Sequence, residues 1–86
     1  MKLLWSEEGW EDYLSWQAVD KKTLQRLNKI INDIKRSPFE GLGKPEPLRG
    51  NWSGWWSRRI DDSNRVIYKI NGGAVEIHQC RGHYDE

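Results

Sequence analysis

Trp55-Trp56-Ser57-Arg58-Arg59-Ile60, Asp61-Asp62-Ser63-Asn64, Arg65-Val66-Ile67-Tyr68-Lys69-Ile70, Asn71-Gly72-Gly73, Ala74-Val75-Glu76-Ile77-His78-Gln79-Cys80: how this stretch is read decides the fold. Segments rich in β-branched and aromatic residues are broken twice by clusters of Asp, Ser, Asn and Gly. Those residues favour turns, through local side-chain hydrogen bonds or through positive φ. The spacing reads as two consecutive hairpins, so strands are expected over roughly 55–60, 65–70 and 74–80.

Upstream, residues 38–54 hold three prolines and four glycines among seventeen positions, the composition of an irregular polar connection. Long connections in compact domains are usually functional or disordered. Before it, Leu24, Leu27, Ile30, Ile31 and Ile34 recur at helical spacing. Asp20 opens that helix, Lys35 and Arg36 suit its C-terminal dipole, and Ser37-Pro38 ends it. An earlier helix is expected after Ser6, a capping residue, with Glu7 and Glu8 in the first turn. Gly9 spoils a full capping box there. Trp10, Tyr13, Leu14 and Gln17 give this helix a mostly apolar face that breaks near Asp20. Residues 2–5 read as a short strand. The sum is an α+β fold in one domain, residues 1–86: an N-terminal strand and two helices packed on one face of a small antiparallel β-sheet, the other face left open.

A chain of 86 residues buries only ~60% of the surface its unfolded form exposes, so its core must be economical. Six tryptophans help, and 36% hydrophobic against 31% charged residues is a globular balance. Cys80 stands alone, so no internal disulfide forms and a reducing compartment suits the chain. Leu3-Leu4-Trp5 is too short for a signal h-region or a membrane span. A cytoplasmic protein without a membrane partner is expected.

Net charge is +1, unevenly spread: residues 44–69 carry six basic and three acidic side chains, while 1–43 balance at seven each. Lys44, Arg49, Arg58, Arg59, Arg65 and Lys69 make a modest phosphate-binding footprint. The near-neutral total argues against tight, non-specific binding to free nucleic acid. A substrate presented by another machine would ease that difficulty.

Several residues in and beyond this block could carry chemistry. Glu46 lies between Pro45 and Pro47, whose fixed φ angles restrict the backbone around a carboxylate; the same residue also reads as a solvated loop side chain. Arg59 and Arg65 flank the first hairpin turn, and guanidinium groups bind phosphate in a planar, bidentate fashion, although arginine on an outer strand face is also ordinary. His83 and Tyr84 follow the last strand, either as a frayed tail or as a placed pair; histidine is the side chain that titrates nearest neutral pH. Trp52, Trp55 and Trp56 suit core packing or an oligomer interface, with stacking on unpaired bases as the alternative.

The opening Met1 to Glu8, the run Ser37 to Leu48, the block Ser53-Gly54-Trp55-Trp56-Ser57-Arg58-Arg59-Ile60 and the pair His83-Tyr84 are together similar to the YoeB branch of the RelE superfamily of bacterial toxins. The resemblance runs over nearly the whole chain. It implies a RelE-like fold and a metal-independent endoribonuclease, an mRNA interferase of a type II toxin–antitoxin system. Such a toxin cuts messenger RNA in the A site of the 70S ribosome, inhibits translation, and is neutralised by a YefM-like antitoxin; a homodimer is also among the expected assemblies. By the same resemblance Glu46 is the general base, His83 the general acid with Tyr84 as its partner, and Arg65 the group that stabilises the phosphorane. Arg59, Lys44 and Arg49 support the substrate. Arg49 stands where the family often has lysine, and the chain continues past His83-Tyr84 with Asp85 and Glu86, where family members commonly stop. No cofactor or metal is implied.

Two other readings stay open. One is a RelE-fold RNA or ribosome binder without catalysis. The other is a zinc site of His78, Cys80 and His83, since alternation along a strand puts 78 and 80 on one face. The nuclease reading carries a geometric condition. A four-residue loop pairing Ile60 with Arg65 would send Arg59 to the opposite face, so a joint phosphate grip needs a three- or five-residue loop, or a bulge.

Overall fold

The computed structural model describes residues 1–83. Its elements run β1 (Lys2–Trp5), α1 (Glu7–Val19), α2 (Lys21–Arg36), β2 (Glu46–Pro47), a 3₁₀ turn at Gly50–Trp52, β3 (Trp56–Arg59), β4 (Arg65–Asn71) and β5 (Ala74–Gln79). The helices begin where their caps stand. Ser6 accepts the Gly9 N–H, and Asp20 accepts the N–H groups of Lys22 and Thr23 while its own N–H closes α1 on the Trp16 carbonyl. Gly9 has a reason beyond capping. A Cβ there would lie 2.8 Å from the Ile77 carbonyl oxygen, so the first turn of α1 rides directly on the β5 backbone.

The five strands form one sheet in the order β1-β5-β4-β3-β2. Each neighbouring pair from β2 to β5 is antiparallel, but β1 adds to β5 in parallel, with Lys2 opposite Ala74 and Trp5 opposite Ile77. The sheet is therefore mixed, where an antiparallel one was expected. The Gly/Pro-rich connection is also more ordered than its composition suggests, since it contributes β2 and the 3₁₀ turn.

Leu27, Ile30, Ile31 and Ile34 of α2 and Trp16 of α1 cover one sheet face, against Val66, Tyr68, Val75, Ile77 and Cys80. Two hydrogen bonds clasp α1 to the end of β5: Trp16 Nε1–H to the Cys80 carbonyl (2.9 Å) and the Cys80 N–H to an Asp12 carboxylate oxygen (3.0 Å). Burial pushes the Cys80 thiol up to about 12, consistent with a small buried hydrophobe.

Arg58 lies on this helix-facing side and is fully buried. Its five N–H donors all find acceptors: Tyr68 Oη, an Asp33 carboxylate oxygen, and the carbonyls of Leu42, Ser37 and Glu40. Asp33 also accepts the Leu42 N–H and Arg36, and the Tyr68 hydroxyl donates to the Pro38 carbonyl. Residues 37–42 are thus pinned to the core. Arg58 belongs to this network and not to the phosphate-binding footprint in which its charge alone had placed it.

Candidate active site

On the other sheet face lies a cleft of about 570 Å³ lined by Lys44, Pro45, Glu46, Ser57, Arg59, Arg65 and His83. Register explains the gathering. Residues directly opposite in an antiparallel pair point to the same side, so Glu46 opposite Ser57 and Arg59 opposite Arg65 form two successive rows on one face. The connection between Arg59 and Arg65 holds five residues, 60–64, closed by a hydrogen bond from the Ile60 N–H to the Asn64 carbonyl. This is one of the geometries that a joint grip by the two arginines requires.

Several of the lining residues are held from outside the cleft. Gly43 abuts β3, its carbonyl accepting the Arg59 N–H at 2.6 Å, and a Cβ on Gly43 would meet the Arg59 carbonyl at 2.6 Å. The next residue, Lys44, has φ +52°, the one non-glycine in the left-handed region among the described residues. Glu46 then enters β2 between its prolines. Arg65 donates from Nη1 to the Asp61 carbonyl (2.7 Å) and the Asn64 carbonyl (3.1 Å), which braces the guanidinium against the turn. Past β5 the chain turns back: the Gly82 carbonyl accepts the Arg65 N–H (3.0 Å), the Gly82 N–H donates to Asn64 Oδ1 (2.8 Å), and Gln79 Nε2 donates to the His83 carbonyl (3.2 Å). His83 is thereby brought to the cleft, 37 positions along the chain from Glu46.

Three cationic side chains face one carboxylate here, together with an imidazole, so the cleft suits an anion and offers groups that can accept and donate protons. Of the residues singled out in the sequence, Lys44, Glu46, Arg59, Arg65 and His83 line it together. Arg49 does not line it; it is exposed and precedes the 3₁₀ turn. Tyr84, Asp85 and Glu86 lie outside the described residues. Ser57 was missed, although alternation from Arg59 would have put it on the same face.

The rest of this face is less open than expected. Trp52 and Trp55 pack edge-on against His78, with ring centroids 5.1 and 5.5 Å away, and Lys69 lies over Trp55 at 4.7 Å while pairing with Glu76 at 3.4 Å. The zinc arrangement fails on geometry. The β4–β5 register slips by one residue beside Ile67 and Tyr68, so the extra residue, His78, lies against the tryptophans while Cys80 returns to the core. The strand alternation that put His78 and Cys80 on one face is broken by the bulge.

A family model described as the YoeB-like toxin of bacterial type II toxin–antitoxin systems matches residues 5–84. A Toxin YoeB from Escherichia coli O6:H1 is 54% identical over 84 residues, covering 98% of this chain and 100% of the relative. Among solved structures, a YoeB/ParE toxin from Agrobacterium tumefaciens superposes with a TM-score of 0.95 at 46% identity, covering 98% of this chain and 100% of that one. The YoeB of a heterotetrameric YoeB–YefM complex from Staphylococcus aureus gives 0.90 at 35% identity, with 98% of each chain covered; that toxin has also been solved as a dimer. Fold and sequence therefore place the molecule among the small α+β toxins of bacterial type II toxin–antitoxin systems. Within that class, the chain belongs to the YoeB family.

Proposed function

We propose that this toxin is an endoribonuclease that cuts messenger RNA in the ribosomal A site and so inhibits translation. The observation that carries the reading is the convergence of Glu46, Arg59, Arg65 and His83 on one cleft from four separate places in the chain. Glu46 accepts the proton of a ribose 2′-hydroxyl, whose oxygen forms a bond to the adjacent phosphorus. The bond from phosphorus to the 5′-oxygen breaks, and His83 gives that oxygen its proton, a role in which the family resemblance makes Tyr84 its partner. Arg65 stabilises the charge that builds up on the phosphorane, Arg59 and Lys44 hold the substrate phosphate in the cleft, and Arg49, outside the cleft, is left to a phosphate farther along the strand. The products are a 2′,3′-cyclic phosphate and a 5′-hydroxyl, with no metal taking part in the step.

A net charge of +1 gives the chain few phosphate contacts of its own, which favours a substrate presented by the 70S ribosome. The YoeB–YefM complex and YoeB dimer of S. aureus support a YefM-like antitoxin and a homodimer as partners. Among the described residues no helix is long and apolar enough to cross a membrane, and we place the toxin in the cytoplasm with the ribosomes.

The test uses programmed ribosomes carrying either an all-ribose messenger or one with a single 2′-deoxy nucleotide at the cleaved position, with zinc chelated and magnesium retained. The ribose messenger should be cut and the deoxy messenger left intact at that site, because no side chain can replace the missing nucleophile. Cutting at the deoxy site would refute the mechanism, and chelation that silences the enzyme would point instead to a metal-bound water.

A further inference from the structure

His83 sits beyond the last strand, where a chain end ordinarily frays. Here the segment is hooked from two sides. Gln79, buried, donates to the His83 carbonyl from within the sheet face. From the hairpin turn, the Asn64 side chain accepts the Gly82 N–H at 2.8 Å while its amide nitrogen donates to both Asp61 carboxylate oxygens at 3.0 and 3.1 Å. A carboxylate only accepts and a backbone N–H only donates, so the amide has one possible orientation, and its two ends serve two different segments. Asp61 and Asn64 also supply the carbonyls that brace the Arg65 guanidinium. One turn therefore holds both the arginine side chain and the segment that carries the histidine.

We infer that Asn64 is a positioning residue for His83, acting with Gln79 to set the imidazole against the leaving oxygen, an inference that rests on the reading of His83 as the general acid. Asn64 itself touches no reacting atom. Its removal should leave the turn standing, since Asp61 still accepts the N–H groups of residues 63 and 64 and the Ile60 N–H still reaches the carbonyl of residue 64. What is lost is the hold on the Gly82 N–H, so that of the two bonds fixing Gly82 to the hairpin only the one from the Arg65 N–H to its carbonyl remains. A misplacement of about 1 Å in a catalytic group can slow a reaction ~10²-fold.

The test compares single-turnover cleavage on programmed ribosomes of two messengers, one normal and one with sulfur in place of the bridging 5′-oxygen at the cleaved bond. A thiol has a pKa of ~8.5, against ~15.7 for water, so a thiolate departs without a proton and the general acid becomes dispensable. His83→Gln should be slow on the oxygen substrate and restored on the sulfur one. Asn64→Ala should follow the same pattern, ~10–10²-fold slower on oxygen and equal to the unaltered toxin on sulfur, with an unchanged melting temperature. Gln79→Met, which keeps the side-chain volume but drops the donor, should do likewise and carries the test if Asn64→Ala folds poorly. Asn64→Ala that is slow on both substrates, or slow on neither, overturns the inference while leaving the mechanism intact. His83→Gln that sulfur fails to restore removes the general acid itself, and the positioning role falls with it.

Discussion

Arg58 and Arg59 are neighbours on one strand, and they serve opposite faces of the sheet. Arg58 points under the helices, has no exposed surface and spends every donor on the protein; Arg59 is exposed and faces the cleft across from Arg65. The difference shows how a small domain holds a charged site in place. The buried arginine pins residues 37–42, the chain then crosses at Gly43 onto β3, and Lys44 and Glu46 emerge on the far side at fixed positions. A polar network on the covered face thus fixes the loop that furnishes the open one.

Replacing the two arginines in turn is the hardest test of that division. Arg58→Met leaves Asp33 short of its main partner and orphans several loop carbonyls, and breaking a buried pair from one side costs about 3–5 kcal/mol. Arg59→Met should stay within about 0.5 kcal/mol, as surface changes usually do. Urea denaturation of both variants measures this, and similar losses for the two would erase the contrast.

Within the cleft the effect should move from stability to rate. Glu46→Gln and His83→Gln are each expected to slow cleavage ~10²–10⁴-fold on programmed ribosomes while the melting temperature stays put. A slowed variant that also melts early would mean that the side chain supports the fold, blurring the two faces.

The smallest effect is an acid one. Its hydrogen bond from Arg58, then that from the Leu42 N–H, hold the Asp33 carboxyl at about 2, below its usual 3.8. Because the folded-state value is the lower one, the stabilisation is fully present above about pH 4 and fades as pH falls toward about 2. The unaltered toxin should therefore lose stability over that interval more steeply than Arg58→Met. Parallel acid limbs in the two proteins would show that Arg58 does not hold the Asp33 proton off.

Much of this architecture could be read along the chain, and the failures share a cause. The α2 face, the caps at Ser6 and Asp20 and the three strands of the meander rest on interactions within a few residues. The residues that line the cleft stood out partly through family resemblance and partly through chemistry, because carboxylate, guanidinium and imidazole are the groups that the proposed reaction needs. Charge alone misled at Arg58, since a basic block says nothing about which side of a strand each member takes. Alternation misled at His78 and Cys80, where a bulge inserts one residue. Asn64 and Gln79 carried no signal, for their work is to hold a segment that the sequence shows only as a tail.

By itself, then, the sequence determined roughly where both helices and four of the five strands lie, β2 excepted, and which chemical groups were available, because periodicity, capping and turn preference act over a handful of neighbouring residues. Tertiary structure alone decided that β1 joins β5 in parallel, that Arg58 turns inward to Asp33 while Arg59 turns outward, that Arg49 stays off the cleft, and that the Gly82–His83 segment is hooked to the hairpin. Each of these depends on groups from about 18 to 72 positions apart meeting in space. Such meetings are fixed by how the helices and the 37–44 loop pack on a twisted sheet, a global balance of burial and hydrogen-bond satisfaction that no local pattern encodes.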